Sequence, residues 1–212
     1  EISKQTKKKF KIILTGGLAH LFKSSIKVRS TVDKDLTIKG LIKLIKKYPN
    51  ILFIINHALS PLKFDNESLE DWRKTSSVNE EGYFLMAQAV GKKMVEQGIG
   101  GSIIQTSSIY GILGPDQRIY DQSLIDGQPM GSRAVYSFTK AGVIGLTKYL
   151  ATYWAKNNIR VNSITPGGVY NGQNDKFVQQ YSSRVPLGRM AEQQDIVGAL
   201  IYLASDASSY VT

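Results

Sequence analysis

Tyr136 and Lys140 stand four residues apart in Ala134-Val135-Tyr136-Ser137-Phe138-Thr139-Lys140. On a helix that spacing sets both side chains on one face. A phenol has a pKa near 10 and is a poor base at neutral pH. A nearby ammonium favours the phenolate and lowers that pKa, so the tyrosine can exchange a proton with a hydroxyl or carbonyl oxygen. Alone, the pair is a weak signal. About one Tyr-x-x-x-Lys arises by chance in a chain of this composition, and the plain alternative is a surface pair. Other polar residues are ordered around it: Asn79 upstream, Ser108 before Ile109-Tyr110-Gly111, and Thr165-Pro166-Gly167 downstream. Each has a plain reading too. Asn79 is equally an ordinary helix-surface residue, Ser108 a turn residue, and Asn56 a cap of a neighbouring backbone group. His57 reads as structural.

The elements that must position these residues alternate. Phe10–Leu14 is an apolar run ending in Thr15-Gly16-Gly17, which reads as a buried strand and a tight turn. Residues 38–48 carry an amphipathic helical pattern. Ile51–Ile55 is a second apolar strand. Ser68 with Asp71 marks a helix start, and that helix runs, with a break, towards Gln97. Ser102–Gln105 is a third strand, and residues 111–131 read as a loop or excursion. A long helical pattern runs from Ala134 to about Asn157, followed by a strand at Ile159–Ile164. Residues 172–188 read as a mobile polar segment, and Glu192–Ala204 as a last amphipathic helix. Apolar strands alternating with helices predict an α/β fold: a doubly wound parallel sheet of Rossmann type in three α/β/α layers. In such sheets ligands bind at the carboxyl ends of the strands, where Thr15-Gly16-Gly17, Asn56, Ser107-Ser108 and Thr165-Pro166-Gly167 fall.

Composition narrows the function. The chain has 212 residues and a 42% hydrophobic content, which fits one globular domain over residues 1–212. Zero cysteines exclude disulfides, thiol nucleophiles and Cys-ligated metals, and two histidines leave little for a metal site. No metal is expected. No apolar run has the length of a membrane span, and the basic N-terminus lacks the apolar core of a signal peptide; the expectation is a cytoplasmic protein without a membrane partner. The net charge of +10 is uneven: residues 1–50 hold 13 Lys/Arg against 3 acidic residues, and residues 51–212 hold 14 of each. A basic arm at Lys4–Lys11 is compatible with nucleic acid or an anionic surface, but no nucleic-acid motif accompanies it, so no nucleic-acid partner is expected.

Taken in order, Asn79, Ser108, Tyr136, Lys140, Arg160-Val161-Asn162-Ser163-Ile164-Thr165-Pro166-Gly167 and Val185-Pro186-Leu187-Gly188-Arg189 resemble the short-chain dehydrogenase/reductase family. The resemblance covers most of the chain from Asp33 onward. It implies an oxidoreductase using NAD or NADP on a small polar substrate. Tyr136 would be the general acid/base. Lys140 would lower its pKa and hold the nicotinamide ribose. Ser108 would hydrogen-bond the substrate oxygen, and Asn79 would help hold a relay water. Thr15, Gly16 and Gly17 would form the phosphate turn, with Asp35 and Leu36 beside the adenine. Asn56 and Ala58 would line the strand end near the cofactor. Pro166, Gly167 and Val169 would wall the nicotinamide. The family usually assembles through the helices carrying Asn79 and Tyr136, which implies a homodimer or homotetramer.

Departures from the pattern are specific. The family turn is Thr-Gly-x-x-x-Gly-x-Gly, but His20 and Phe22 occupy the later glycine positions, where bulk would obstruct a pyrophosphate. Only 17 residues separate Gly16 from Val32 inclusive, where roughly 40 are needed for two helices, a strand and their loops. The expectation is that segments are missing near residues 17–33 and after 212; an intact mass close to 23.5 kDa would overturn it. The residue that selects NAD or NADP is then not locatable. An insertion around Gly114–Gly131 lengthens the gap between Ser108 and Tyr136. With Ser108-Ile109-Tyr110-Gly111, the run Pro166–Gln173 and Asn171 where Thr is common, it resembles a bacterial branch of surface and flagellar sugar pathways, including legionaminic acid-type synthesis. That implies a sugar or nucleotide-sugar substrate. Two rivals remain: a non-catalytic dinucleotide sensor on the same fold, and a basic nucleic-acid or membrane-surface binding protein.

Overall fold

The structure, a computed structural model, describes residues 11–16, 30–32, 51–56, 64–125 and 127–212. Its first strands are β1 (Lys11–Gly16), β2 (Ser30–Val32) and β3 (Ile51–Asn56). They form a parallel sheet in the order β2-β1-β3. The chain then forms α1 (Leu69–Ser76), a π-helical turn at Ser77–Glu81, α2 (Gly82–Gln97) and β4 (Gly101–Thr106). A small hairpin of β5 (Leu124–Ile125) and β6 (Gln128–Pro129) follows. The rest is α3 (Ala134–Trp154), β7 (Ile159–Ile164), α4 (Asp175–Ser182) and α5 (Gln193–Ala204). β4 and β7 pair in parallel from Gly101↔Ile159 to Thr106↔Ile164, and β3 runs beside β4.

Neighbouring parallel strands require crossovers that place helices on the sheet faces. The alternation of side chains along β4 and β7 shows both faces in use. Ile103, Ile159 and Val161 point into a core with Met86, Val90 and Met94 of α2 and Leu150 and Trp154 of α3. Their neighbours Ser102 and Arg160 face the other way, and both donate to the Leu203 carbonyl of α5. This is the three-layer α/β/α arrangement read from the sequence. The strand order reverses at β1, so the topological switch point lies between β1 and β3. Gly16 and Asn56 are paired there at the carboxyl end.

Three local readings change. The helix from Ser68 begins as expected, with Ser68 Oγ accepting the Asp71 amide. Its break is a π-helical turn that contains Asn79. The 111–131 excursion is not structureless: it holds a 3-10 turn at Gln117–Tyr120 and the β5–β6 hairpin. The segment expected to be mobile contains α4. Asn174 caps it through the Lys176 and Phe177 amides, and Phe177 and Tyr181, four apart, bury one face. They pack with Ile119, Tyr120, Met130 and Met190, so the excursion supplies the apolar surface that orders α4. The helical pattern at 38–48 and the basic arm up to Lys9 lie outside the described residues, while Lys11 opens β1. No described helix is long and apolar enough to cross a membrane.

Candidate active site

The site forms where β4 ends. Beyond Thr106 the Ser107 amide donates to the Ile164 carbonyl at 2.8 Å, and Ser107 Oγ donates to the Lys140 carbonyl at 2.7 Å. These bonds tie the strand end to β7 and to α3. Ser108 is extended and caps the 3-10 turn Ile109–Gly111, its Oγ accepting the Tyr110 amide. The Ile109 amide donates to the Pro166 carbonyl at 3.1 Å. At Gly111 a Cβ would lie 2.7 Å from the Lys140 backbone carbon and oxygen. The turn therefore rests directly on the helix that carries Tyr136, and only glycine permits that approach.

Lys140 is fully buried. Its Nζ donates to the Thr106 carbonyl at 2.8 Å and to Tyr83 Oη at 3.4 Å, while Tyr83 Oη donates to the same carbonyl at 2.6 Å. Nζ lies 5.5 Å from the centre of the Tyr136 ring. Burial, with no counter-charge beside it among the described residues, disfavours the ammonium and holds Lys140 at about 8. Burial also pushes the Tyr136 phenol above its ordinary value, and the neighbouring Ser108 hydroxyl opposes that rise. The expected lowering of Tyr136 by Lys140 is thus reversed in the protein alone, because desolvation of the phenol dominates.

Asn79 is not a surface residue. It is fully buried, and its Nδ2 donates to Thr139 Oγ1 at 3.0 Å. Its Oδ1 is buried without a hydrogen-bond partner. A π-turn inserts one residue into a helical register, a device frequent at functional sites. Here it carries Asn79 inward against α3. The start of α3 is held from outside by Glu67, whose Oε2 accepts the Ala134 amide at 3.1 Å and whose Oε1 accepts from Arg133 at 3.2 Å.

The Pro166-Gly167-Gly168 loop lies against the turn that follows Ser108. The Gly168 amide donates to Tyr181 Oη. A Cβ at Gly168 would fall 2.7 Å from the Tyr181 ring, so the glycine is what lets α4 press on this loop. Val169 bridges to Ala191 through the Tyr170 and Ala191 amides. Tyr110 Oη and Tyr120 Oη are 2.9 Å apart, and burial pushes both phenols up.

Asn79, Ser108, Tyr136 and Lys140 therefore converge on the carboxyl end of β4, with Pro166, Gly167 and Val169 beyond the Ser108 turn. Thr15 and Gly16 close β1, and Asn56 closes β3, at the switch point. Gly17, Asp35, Leu36 and Ala58 lie outside the described residues. Tyr83, Thr139 and Tyr181 were not singled out in the sequence. Tyr83 had a signal, standing four residues after Asn79.

The donor set suits a dinucleotide. An ammonium has three N–H donors; among the described residues, Thr106 and Tyr83 accept two. The third is left for a ribose hydroxyl, and the unpartnered Asn79 Oδ1 can accept from a bound water.

Residues 16–212 match a family profile described as Enoyl-(Acyl carrier protein) reductase. The 3-oxoacyl-[acyl-carrier-protein] reductase of Thermotoga maritima is 34% identical over 192 residues, which cover 87% of this chain and 71% of that protein. The ribulose-forming D-arabinitol 2-dehydrogenase of Candida tropicalis is 38% identical over 144 residues, 64% of this chain but only 46% of its own length. Among solved structures, a short chain dehydrogenase from Leptospira borgpetersenii with bound NAD+ superposes with a TM-score of 0.79. It is 30% identical, with 96% of this chain and 89% of that one covered.

Proposed function

The chain belongs to the short-chain dehydrogenase/reductase family, the NAD(P)-dependent oxidoreductases of CH–OH and C=O groups, and on that premise we propose that Tyr136 moves the proton. The observation that carries this reading is the buried convergence of Lys140 with Tyr136, Ser108 and Asn79 at one strand end. When bound, NAD or NADP accepts or supplies the hydride. Tyr136 Oη gives a proton to the substrate oxygen in reduction and takes it in oxidation. Ser108 Oγ donates a hydrogen bond to that oxygen as charge develops on it. Lys140 holds the ribose and, charged, favours the phenolate. A water accepted by Asn79 Oδ1 continues the proton path from Lys140. Pro166, Gly167 and Val169 wall the nicotinamide, while Thr15, Gly16, Gly17, Asp35, Leu36, Asn56 and Ala58 hold the rest of the dinucleotide.

The substrate is polar, in keeping with the tyrosine hydroxyls and serines around the site. A sugar or nucleotide-sugar of the surface-polysaccharide type, including the legionaminic acid branch, is the finer reading that the insertion supports. The cytoplasm, where nicotinamide cofactors cycle, is the compartment implied. A homodimer or homotetramer joined through α2 and α3 is supported by their exposed apolar residues Phe84, Val95, Tyr149 and Tyr153.

The test is titration with NADH and NADPH by nicotinamide fluorescence, then turnover on a carbonyl and polyol panel. Tyr136→Phe keeps the ring and removes the proton donor, so kcat falls by about 10²–10⁴ with cofactor affinity retained. Unchanged turnover in that variant would overturn the mechanism. Binding of neither cofactor would favour the view that His20 and Phe22 block the phosphate turn.

A further inference from the structure

Two adjacent residue pairs join α3 to the helix before it. Asn79, in the π-turn, bonds Thr139, and Tyr83, four residues on in α2, meets Lys140. Asn79 and Lys140 belong to the proposed proton path; Tyr83 is not one of its members. It is buried, where a tyrosine differs from a phenylalanine by a hydroxyl that must find a partner. The role of Tyr83 therefore turns on that hydroxyl.

Its proton is committed. Tyr83 Oη donates to the Thr106 carbonyl at 2.6 Å, the shortest of the three bonds in the cluster. Lys140 Nζ donates to the same oxygen at 2.8 Å. A carbonyl has two lone pairs, so these two donors saturate it. Burial, with a smaller contribution from Tyr136, pushes the Tyr83 phenol up and keeps it neutral. With its proton on Thr106, Oη is left as an acceptor, and Nζ donates to it at 3.4 Å. Nζ also lies 5.4 Å from the centre of the Tyr83 ring and 5.5 Å from that of Tyr136, where a cation is attracted to a ring face. Among the described residues the titratable groups against Nζ are these two phenols, one from α2 and one from α3, while β4 offers a backbone carbonyl. One bond to Thr106 would let the ammonium swing; the second bond, to Tyr83, fixes the direction of the third N–H.

We propose that Tyr83 is a positioning residue: its hydroxyl, locked on the Thr106 carbonyl, steadies the Lys140 ammonium and leaves the third N–H to the ribose of the nicotinamide. This inference rests on the oxidoreductase reading for the identity of the ligand.

Tyr83→Phe keeps the ring, removes the hydroxyl and leaves Lys140 as the donor to Thr106. The melting temperature is expected to fall by no more than about 4 °C. The readout is the Kd of whichever cofactor the wild type binds, divided by the Kd of the adenosine diphosphate half of that cofactor, which lacks the nicotinamide ribose. The ratio is expected to rise about fivefold or more, and kcat to fall with it, because the same ammonium favours the Tyr136 phenolate. An unchanged ratio, including equal weakening of both ligands, would reduce Tyr83 to a structural role and overturn the proposal. Tyr83→Met, which fills the space with a flexible apolar chain, repeats the measurement if Tyr83→Phe does not fold. If the wild type binds neither cofactor, the failure belongs to the oxidoreductase reading, and Tyr83 is judged on Lys140 itself. The Nζ resonance, assigned by NMR with Lys140→Met, is expected to titrate at about 8 in the wild type. A midpoint lower by at least about half a pH unit in Tyr83→Phe supports the proposal, and an unchanged or higher midpoint overturns it.

Discussion

The floor of the site and its outer wall are built by different physics. The floor joins Asn79, Tyr83, Thr106, Thr139 and Lys140 by buried hydrogen bonds between regular elements. The wall joins Tyr110, Tyr120, Phe177 and Tyr181 by aromatic packing between an excursion and a short helix. Tyr120 stacks on Phe177 with centroids 5.7 Å apart, and the half-buried Asp116 carboxylate holds both Arg118 and Arg184 at 2.8 Å. Desolvation acts on both regions: on the floor it acts on Lys140 and Tyr136, the groups proposed to exchange the proton, and on the wall it acts on the Tyr110 and Tyr120 phenols. On the proposed mechanism, rate belongs to the floor and selectivity to the wall.

The largest break to that division comes from Glu67. Its carboxylate is 3% exposed and pairs with Arg133, which is 9% exposed, while also capping α3. Removing Glu67 leaves the buried Arg133, among the described residues, only the more distant, more exposed Asp71 carboxylate at 3.9 Å, and breaking a buried pair is costly. Glu67→Ala is expected to destabilise the protein by about 3 kcal/mol, read by urea denaturation. A loss below about 1 kcal/mol would mean that the helix carrying Tyr136 is held by its core alone.

Lys140 sharpens the comparison through pH. Its folded pKa, about 8, lies below the ordinary 10.5. Between those values the unfolded chain carries a proton that the folded chain lacks, so stability rises with pH across the window. Below pH 8 both states are protonated and the full desolvation cost is felt. Wild type should therefore gain about 2 kcal/mol relative to Lys140→Met between pH 7.5 and pH 10. Denaturation of both proteins at the two pH values checks this, and the other titrating groups cancel in the difference. A flat difference would show that Lys140 stays charged on folding.

The same contrast explains what the sequence disclosed. Tyr136 and Lys140 sit on one regular helix, so a four-residue spacing was enough to bring them together. Ser108 followed a strand, and the strand period located it. The Ser68 cap and the β4 and β7 strands were legible for the same reason. Asn79 was ambiguous because helical periodicity alone places it without saying that a π-turn would rotate it inward. The helix within 172–188 is not legible locally because its partners lie elsewhere. Phe177 packs with Tyr120, and Arg184 pairs with Asp116, 68 residues away. Such contacts are set by tertiary placement of loops, for which local pattern carries no signal. The rise of the Tyr136 pKa is not legible in the sequence, because spacing reveals a charge neighbour but not the loss of water.

On the wall, Tyr181→Phe retains the ring against Gly168 and removes only the hydroxyl that accepts the Gly168 amide. An unpaired amide costs about 1 kcal/mol, and the loop it belongs to is the one assigned to the nicotinamide. The expected effect is a rise of roughly threefold to tenfold in the KM for cofactor with kcat changed less than about twofold. Equal losses in kcat and kcat/KM would instead place Tyr181 in the chemical step and blur the division between floor and wall.

The smallest effect is expected at Asp116. Its carboxyl is held well below the usual range by hydrogen bonds from Arg118, with a further contribution from Arg184. Yet the arginine side chains are 77% and 37% exposed, and exposed pairs are screened and pay side-chain entropy. Apolar packing of Phe177 and Tyr181, 6% and 9% exposed, is then the dominant tie between α4 and the excursion. Asp116→Asn should shift the melting temperature by no more than about a degree or two, and substrate KM by less than about twofold. A large rise in KM in this variant, abolished by high salt in wild type, would show that charge and not packing keeps the wall closed.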